Sequence, residues 1–411
     1  MLLGWEKGPG LLAGISSFKK DMHFANVSNG IIDGLAFGII AIPLIQQAAA
    51  SANLSPEILQ SWLVTVYVGG GLISFFMALY FKLPIVGAWS IPGAFALAQV
   101  MNNYTFNETV GGFLTAGIIV FLLGITGGIK WLVSRVPLPV MMAMVAGTLF
   151  GWASKLVGAF KTAPVIGFVG LVGFILCKKI FKRVPPVVGT MLFALVASVV
   201  MGKLKMVGID WSISVPVFIT PRFNPAACLS IGIPLALLVV CAENMQAIGV
   251  QLAIGKKPPV NAITIISGIG GMIAPFFGGH NCNIAGPMTA WAGCEECGDV
   301  ETRYVAAVFC GLAFALTGFF AKATMSVLAM LPPEATIVII GLVLMNMIIG
   351  GLGESFGCGK FKYGSFTSFV IAASGVVFFK IGSAFWALAM GTLITLLLEK
   401  KDYDEMGSTL S

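Results

Sequence analysis

The sequence predicts an all-α polytopic membrane protein, and three observations carry that reading. Hydrophobic residues make up 58% of the 411-residue chain and charged residues only 10%, whereas soluble domains carry about 25% charged residues. Charge-free runs long enough to cross a bilayer recur along the whole chain. Two apolar runs, one in each half, are interrupted by glycine, proline and polar residues.

The runs cover 34–56, 58–81, 83–107, 109–129, 136–154, 184–202, 223–242, 304–321, 335–353, 363–379 and 381–398. About 20 apolar residues make one helical span. A shorter run covers 162–177, and the run 258–294 suffices for two crossings broken near Pro275–Gly279. The expected count is 14 transmembrane segments, with 12 as the alternative.

Placement of basic residues sets the orientation. With the N-terminus inside, Lys19, Lys20, Lys130, Arg135, Lys178, Lys179, Lys182, Arg183, Lys256, Lys257, Lys400 and Lys401 all fall on the cytoplasmic side. The loops around 49–57 and 102–108 carry no Lys or Arg. This asymmetry predicts cytoplasmic N- and C-termini for an even number of spans. The net charge of +7 then reflects topology, and no nucleic-acid partner is expected. No cleavable signal peptide is expected either, because the apolar start Gly10–Ile15 is short and runs into Lys19-Lys20-Asp21.

The interrupted segments are LPIVGAWSIPGAFALAQV (83–100) and APFFGGHNCNIAGPMTAW (274–291). Broken segments at corresponding places in two halves point to a transporter binding site. Seven segments per half, an odd number, make the halves 1–206 and 207–411 inverted repeats. Non-helical backbone survives at membrane depth only where protein buries it or water lines it. Residues 84–90 and 275–283 are therefore expected to be extended and interior, each leading into a half-helix. Ser90 suits an N-cap with Pro92 in the first turn, and Pro287 suits the first turn of a helix beginning near Ile284–Gly286. Both helix N-termini then present free N–H groups and positive dipole ends to the interior.

The polar residues at these depths are the candidates for chemistry. Glu243, in CAENMQAIG, lies near the middle of a span. A carboxylate removed from water holds its proton more readily, which suits a proton-coupling site or, equally, a neutral structural acid. Asp33, in GIIDGLAFG, can be a second titrating group or an end-of-span acid in cytoplasmic water. His280 can relay protons near neutral pH, or simply be hydrogen-bonded. Asn281, Asn283 and Ser90 can contact substrate or satisfy the broken backbone. Trp89, Phe95, Phe276, Phe277 and Trp291 can line an aromatic cleft, with Trp89 and Phe277 preferred. Neither broken segment carries Lys or Arg at its middle, so an anionic substrate has to be held by helix N-termini and backbone amides. No GxxxxGK[ST] or HExxH motif occurs, and neither an enzyme nor a cofactor or metal is expected. The eight cysteines read as free thiols, since Cys294-Glu-Glu-Cys297 is a lone CxxC and a structural zinc site needs four ligands. Asn103-Tyr-Thr and Asn107-Glu-Thr match the glycosylation pattern, which matters only in a secretory pathway.

Several of these pieces together resemble the benzoate:proton symporter family of bacterial inner-membrane proteins. They are Ser61-Trp62, PIVGAWSIPGA (84–94), RVPLPVMMAMVAG (135–147), the GGH at 278–280 with Asn283, and RYVAA (303–307). The resemblance implies the fold shared by uracil permeases and related anion transporters, with short β-strands before the half-helices of segments 3 and 10. It implies a core domain, 22–130 plus 226–322, moving against a gate domain, 136–206 plus 333–400, and a possible homodimer through the gate domain. It places the substrate between the facing half-helix ends of segments 3 and 10, where the residue reading offers Trp89, Ser90, Gly93, Glu243, Asn244, Gly279, His280, Asn281 and Asn283 for substrate and Glu243, His280 or Asp33 for the proton. The implied activity is proton-driven import of a small aromatic carboxylate. Where the family usually carries Gln-Asn this chain has Glu243-Asn244, a glutamate there being more like the nucleobase permeases, and Asn281-Cys282 stand where small or apolar residues are expected. A nucleobase symporter is therefore the alternative, and an anion channel or exchanger a further one.

Overall fold

The computed structural model of the chain describes residues 4–129, 132, 135–181 and 186–410. Lys130, Lys182 and Arg183, counted above among the basic residues, lie outside the described residues. The protein is a mostly helical polytopic membrane protein. Among the described residues, seven helices are long and apolar enough to cross a membrane, or eight with a bent pair counted as one span.

The first half opens with α1 (Leu11–Asp21), α2 (Phe24–Ser51) and α3 (Pro56–Phe81), followed by strand β1 (Gly87–Ala88), the short α4 (Ile91–Ala98) and α5 (Phe106–Thr126). It continues through α6 (Leu138–Ala153), α7 (Lys155–Thr162), α8 (Pro164–Lys179) and α9 (Pro186–Val200). An irregular segment, 203–224, leads to α10 (Pro225–Ala253). Then come α11 (Val260–Ile273), strand β2 (Asn283–Ile284), the short α12 (Gly286–Ala292), α13 (Tyr304–Phe319) and α14 (Ala321–Ala329). The chain ends with α15 (Pro333–Phe356), α16 (Lys362–Ser374), α17 (Ser383–Leu398) and α18 (Lys400–Leu410).

Local sequence sets the helix boundaries. Pro56 opens α3 behind Ser55, whose hydroxyl accepts from the Ile58 N–H. Thr105 and Glu108 form a reciprocal capping box at α5. The expected extended stretch 275–283 is only partly so. Ala274–Phe277 form a 3₁₀ turn continuing α11, ended by Gly278 at φ 78, because a proline is accepted in a first helical turn and glycine alone adopts this left-handed stop cheaply. The expected span 304–321 corresponds to α13, at whose end the chain turns by 74° into α14.

Several of the main packing pairs join elements of the two halves, and others lie within one half. Helix α3 packs on α13 and α11 on α5; α2 packs on α13 and α10 on α5; α8 packs on α9 and α16 on α17; α6 and α15 pack on each other. The α2–α13 contact is backbone-close. Gly30, Gly34 and Gly38, spaced one turn apart, face Ala306, Cys310 and Thr317 of α13. A Cβ on Gly34 would sit 2.3 Å from the Cys310 carbonyl oxygen and one on Gly30 2.4 Å from that of Ala306. With no hydrophobic drive between helices in lipid, small residues permit the approach that packing requires.

Gly34→Val is therefore expected to destabilise the protein by about 1–3 kcal/mol through overpacking. Gly353→Ala, where an added Cβ meets nothing within 4 Å, serves as the control. Thermal unfolding in detergent reads both; equal melting temperatures for the two variants would refute the close-packed interface.

Candidate functional site

The two interrupted segments meet. Strands β1 and β2 pair antiparallel, Gly87 opposite Ile284 and Ala88 opposite Asn283. The Ala285 N–H donates to the Val86 carbonyl at 2.9 Å. Neighbouring helices satisfy what the two-residue strands leave open. The Gly87 N–H donates to Ser74 Oγ of α3 at 2.8 Å, and the Ile284 N–H donates to Ser267 Oγ of α11 at 3.1 Å. Val86 N–H donates to Thr289 Oγ1, and Gln251 Nε2 donates to the Pro84 carbonyl.

The strands aim two half-helices at one place. Ser90 caps α4, its hydroxyl accepting from the Gly93 N–H at 3.1 Å. Helix α12 starts at Gly286, whose N–H donates to Glu243 Oε2 at 3.3 Å. The Ile91 N–H and the Ser90 hydroxyl lie within electrostatic reach of the same carboxyl. Glu243 and Asn244 belong to a π-helical stretch of α10, Leu238–Asn244. Such a widened turn changes which way a residue faces, and it recurs at functional sites.

Phe37 and Ala41 of α2, Ala88, Trp89, Ile91, Glu243, Ala285, Pro287, Met288 and Phe314 of α13 enclose a cavity of about 20 Å³, roughly enough for a single water. Two buried polar atoms on its lining residues have no protein partner, Glu243 Oε1 and Trp89 Nε1. Buried polar atoms are rarely left so. The cavity walls are aromatic and aliphatic, with the Glu243 carboxyl and the Trp89 indole, the latter beside the Tyr67 hydroxyl, buried in its lining. A second cavity, about 10 Å³ and lined by Gly93, Gln99, Ser230, Leu235 and Gly382 among others, holds no titratable group.

The other expected residues have structural partners. His280 is held at both ring nitrogens: Trp62 Nε1–H donates to Nδ1 at 2.9 Å, and Nε2 lies 3.1 Å from the Ser90 carbonyl. An indole N–H can only donate, so Nδ1 is the acceptor, Nε2 carries the proton, and the ring is neutral. Asn281 accepts from the Ser90 N–H at 3.2 Å and donates to Asn283 Oδ1, and Asn283 donates to the Ile284 carbonyl. Asn244 Oδ1 accepts from the Ser267 hydroxyl, while its Nδ2 has no partner. Gly93 packs where a Cβ would strike Leu235, and Gly279 where it would strike Val66. Asp33 is buried against α13, accepting from the Cys310 thiol at 3.2 Å, with Oδ1 unpartnered. It stands one turn from Phe37 on α2 rather than in open water.

A family model described as "Benzoate membrane transport protein" matches residues 20–397. The chain belongs to the benzoate membrane transport protein family. It is 29% identical over 391 residues to the benzoate membrane transport protein of Acinetobacter baylyi, covering 94% of this chain and 98% of that one. It is 27% identical to the inner membrane protein YdcO of Escherichia coli, covering 86% and 91%. Among solved structures it resembles the transmembrane domain of a cyanobacterial bicarbonate transporter, BicA, with TM-score 0.58, 13% identity and coverage of 90% of this chain and 98% of that one. It also resembles SLC26A9, with TM-score 0.63, 15% identity and coverage of 94% and 68%. At these identities the structural likeness shows the fold.

Within this benzoate-transport family member, the paired strands bring Trp89, Ser90, Glu243, His280, Asn281 and Asn283 together, and set Asp33 apart. Sequence reasoning missed Phe37, Phe314 and Met288 as cavity walls, and preferred Phe277, which lies elsewhere, with its carbonyl accepting from Ser61. The recurrence of Asp33, Phe37 and Ala41 at helical spacing was the available signal for Phe37. Trp62→Phe is expected to cost about 1–3 kcal/mol, because it leaves His280 Nδ1 a buried acceptor without a donor. The same variant should change the imidazole ¹⁵N shifts. Unchanged melting and unchanged shifts would show that the Trp62–His280 bond does not hold the ring.

Proposed function

We propose that the protein imports a small aromatic carboxylate together with a proton. The observation that carries this reading is a buried Glu243 carboxyl, held by the first N–H of half-helix α12, in the lining of a cavity walled by Trp89, Phe37, Phe314 and Met288. The benzoate transport named for the Acinetobacter baylyi relative supports it.

The chemistry follows from the donors and acceptors. Two helix N-termini and the Trp89 N–H favour a carboxylate, and the apolar walls favour a ring over a densely charged ion. Glu243 in its charged form would repel that carboxylate, whereas protonated Glu243 donates a hydrogen bond to it. Substrate and proton therefore bind together. When cytoplasmic water reaches the site, the proton leaves, and repulsion between the two carboxylates expels the substrate. Each ligand raises the affinity for the other by the same factor, as linkage requires. Asp33, one turn along α2, is the natural next proton acceptor.

A cavity of about 20 Å³ has to widen to admit an aromatic acid, in keeping with alternating access. In this reading the chain has 14 segments in two inverted repeats, 1–206 and 207–411. A core, 22–130 plus 226–322, moves against a gate, 136–206 plus 333–400. The exchanged packing of corresponding elements, α3 on α13 with α11 on α5, supports the repeat. The protein then sits in the bacterial inner membrane with both termini cytoplasmic and, through the gate, as a possible homodimer.

Uptake of radiolabelled benzoate into proteoliposomes under an imposed pH gradient tests the reading. Wild type should accumulate it, while Glu243→Gln should stay folded and lose the dependence of accumulation on the gradient. Full proton-driven accumulation by the variant would move the coupling to Asp33 or His280. Glu243 also favours a second reading, a nucleobase symporter, since a carboxylate can accept from a neutral ring N–H. Thermal stabilisation by uracil or xanthine and not by benzoate would select it. Saturation-free current without proton dependence would instead mark an anion channel.

A further inference from the structure

The CxxC at 294–297 lies directly behind half-helix α12, and the transport reading leaves it without a role. Its two sulfurs stand 3.8 Å apart, in contact but unbonded, and all eight cysteines are free thiols. A disulfide needs them at about 2.05 Å, a small closure inside a single 3₁₀ turn, Glu295–Cys297. Cys294 is half-buried and can be attacked, whereas Cys297 is buried. The Cys297 thiol beside it holds Cys294 below the usual thiol range. Cys297 itself is held above that range by Cys294 first and by burial second. The half-buried Cys294 thus forms the thiolate first.

The turn is tied to both sides of the site. Cys297 Sγ donates to the Trp291 carbonyl in the last turn of α12 at 3.4 Å. Arg303 at the head of α13 brackets the pair, donating to the Gly293 carbonyl at 2.7 Å and the Gly298 carbonyl at 2.8 Å. Asn29 of α2 donates to the Glu296 carbonyl at 2.7 Å, and the His23 ring lies against Gly298 and hydrogen-bonds Thr302. One turn therefore joins α12, α2 and α13, the three elements that carry Met288, Phe37 and Phe314.

We propose that Cys294 and Cys297 are a reversible dithiol–disulfide switch, oxidised by low-molecular-weight disulfides such as glutathione disulfide, that alters the seating of half-helix α12. The Cys294 thiolate attacks one sulfur of glutathione disulfide, forming a mixed disulfide and releasing one glutathione thiolate. The Cys297 thiol then loses its proton and attacks the Cys294 sulfur, closing the internal bond and releasing the second glutathione. Two protein thiols lose two electrons and two protons, and one glutathione disulfide becomes two glutathiones. Closure removes the Cys297 thiol hydrogen from the Trp291 carbonyl, leaving it the Cys294 N–H at 3.2 Å, and draws that N–H's own residue toward Cys297 behind the helix whose first N–H holds Glu243.

The test uses the full-length protein in detergent carrying Cys358→Ser, which removes the exposed thiol. After incubation with glutathione disulfide, the peptide spanning 286–303 should be lighter by two hydrogens and blocked to iodoacetamide at both cysteines, and dithiothreitol should reverse both changes. Amide hydrogen exchange across 286–293 should change at least about threefold on oxidation. Cys297→Ser, which keeps a donor for the Trp291 carbonyl, should stop at a mixed disulfide on Cys294 and show no such change. The proposal is overturned if no internal bond forms, if Cys294 pairs with Cys310 instead, or if the bond forms and exchange across α12 stays the same. None of these readouts depends on substrate uptake, so they stand or fall separately from the transport reading.

Discussion

Backbone N–H and C=O groups have no water to turn to at membrane depth, so two chain segments that leave the helix there must satisfy each other. That constraint shapes everything around the site. Gly87–Ala88 and Asn283–Ile284 form the smallest possible ladder, too short to close its own accounts. Ser74 and Ser267, one from each half, take the N–H groups left over at Gly87 and Ile284. Thr289 and Gln251 take more. Only with this framework complete do α4 and α12 begin where they do, with their positive ends turned to the same carboxyl.

The polar cluster that a sequence reader would assign to the ligand divides into two trades. His280, Asn281 and Asn283 are occupied with backbone and with one another, and His280 in particular links Trp62 to the capping residue Ser90. Glu243 and Trp89 instead belong to the cavity lining. The division is physically sensible. A histidine whose two nitrogens are both bonded is a rigid strut, and a rigid strut keeps the lining groups in register. Pre-arranged donors of this kind are worth more in a water-poor site than in solution.

Much of this was legible in the chain itself. Pro92 and Gly93 after Ser90, and Pro287 after Gly286, announce half-helices because capping and proline placement are local rules. The membrane class and the broken pair were readable from charge-free runs interrupted by breakers. The roles of Ser74, Ser267, Trp62, Phe37 and Phe314 were not, because each depends on which distant residue stands opposite. With 31 phenylalanines in the sequence, an aromatic side chain announces nothing until packing places it. The π-helical turn at Leu238–Asn244 was equally hidden, since residue preferences distinguish it poorly from an ordinary helical turn. The misjudged stretch at Ala274–Phe277 shows the reverse error, where proline was taken to end a helix that it merely tightened.

The glycine stripe on α2 has a consequence for the aromatic walls. Gly30, Gly34 and Gly38 seat α2 so closely on the α13 backbone that the two helices can neither roll nor slide without collision. Phe37 rides on one and Phe314 on the other, so the main-chain contact one turn away fixes how these two cavity-lining residues are seated. The aromatic walls of the cavity thus owe their seating to glycines that lie outside its lining.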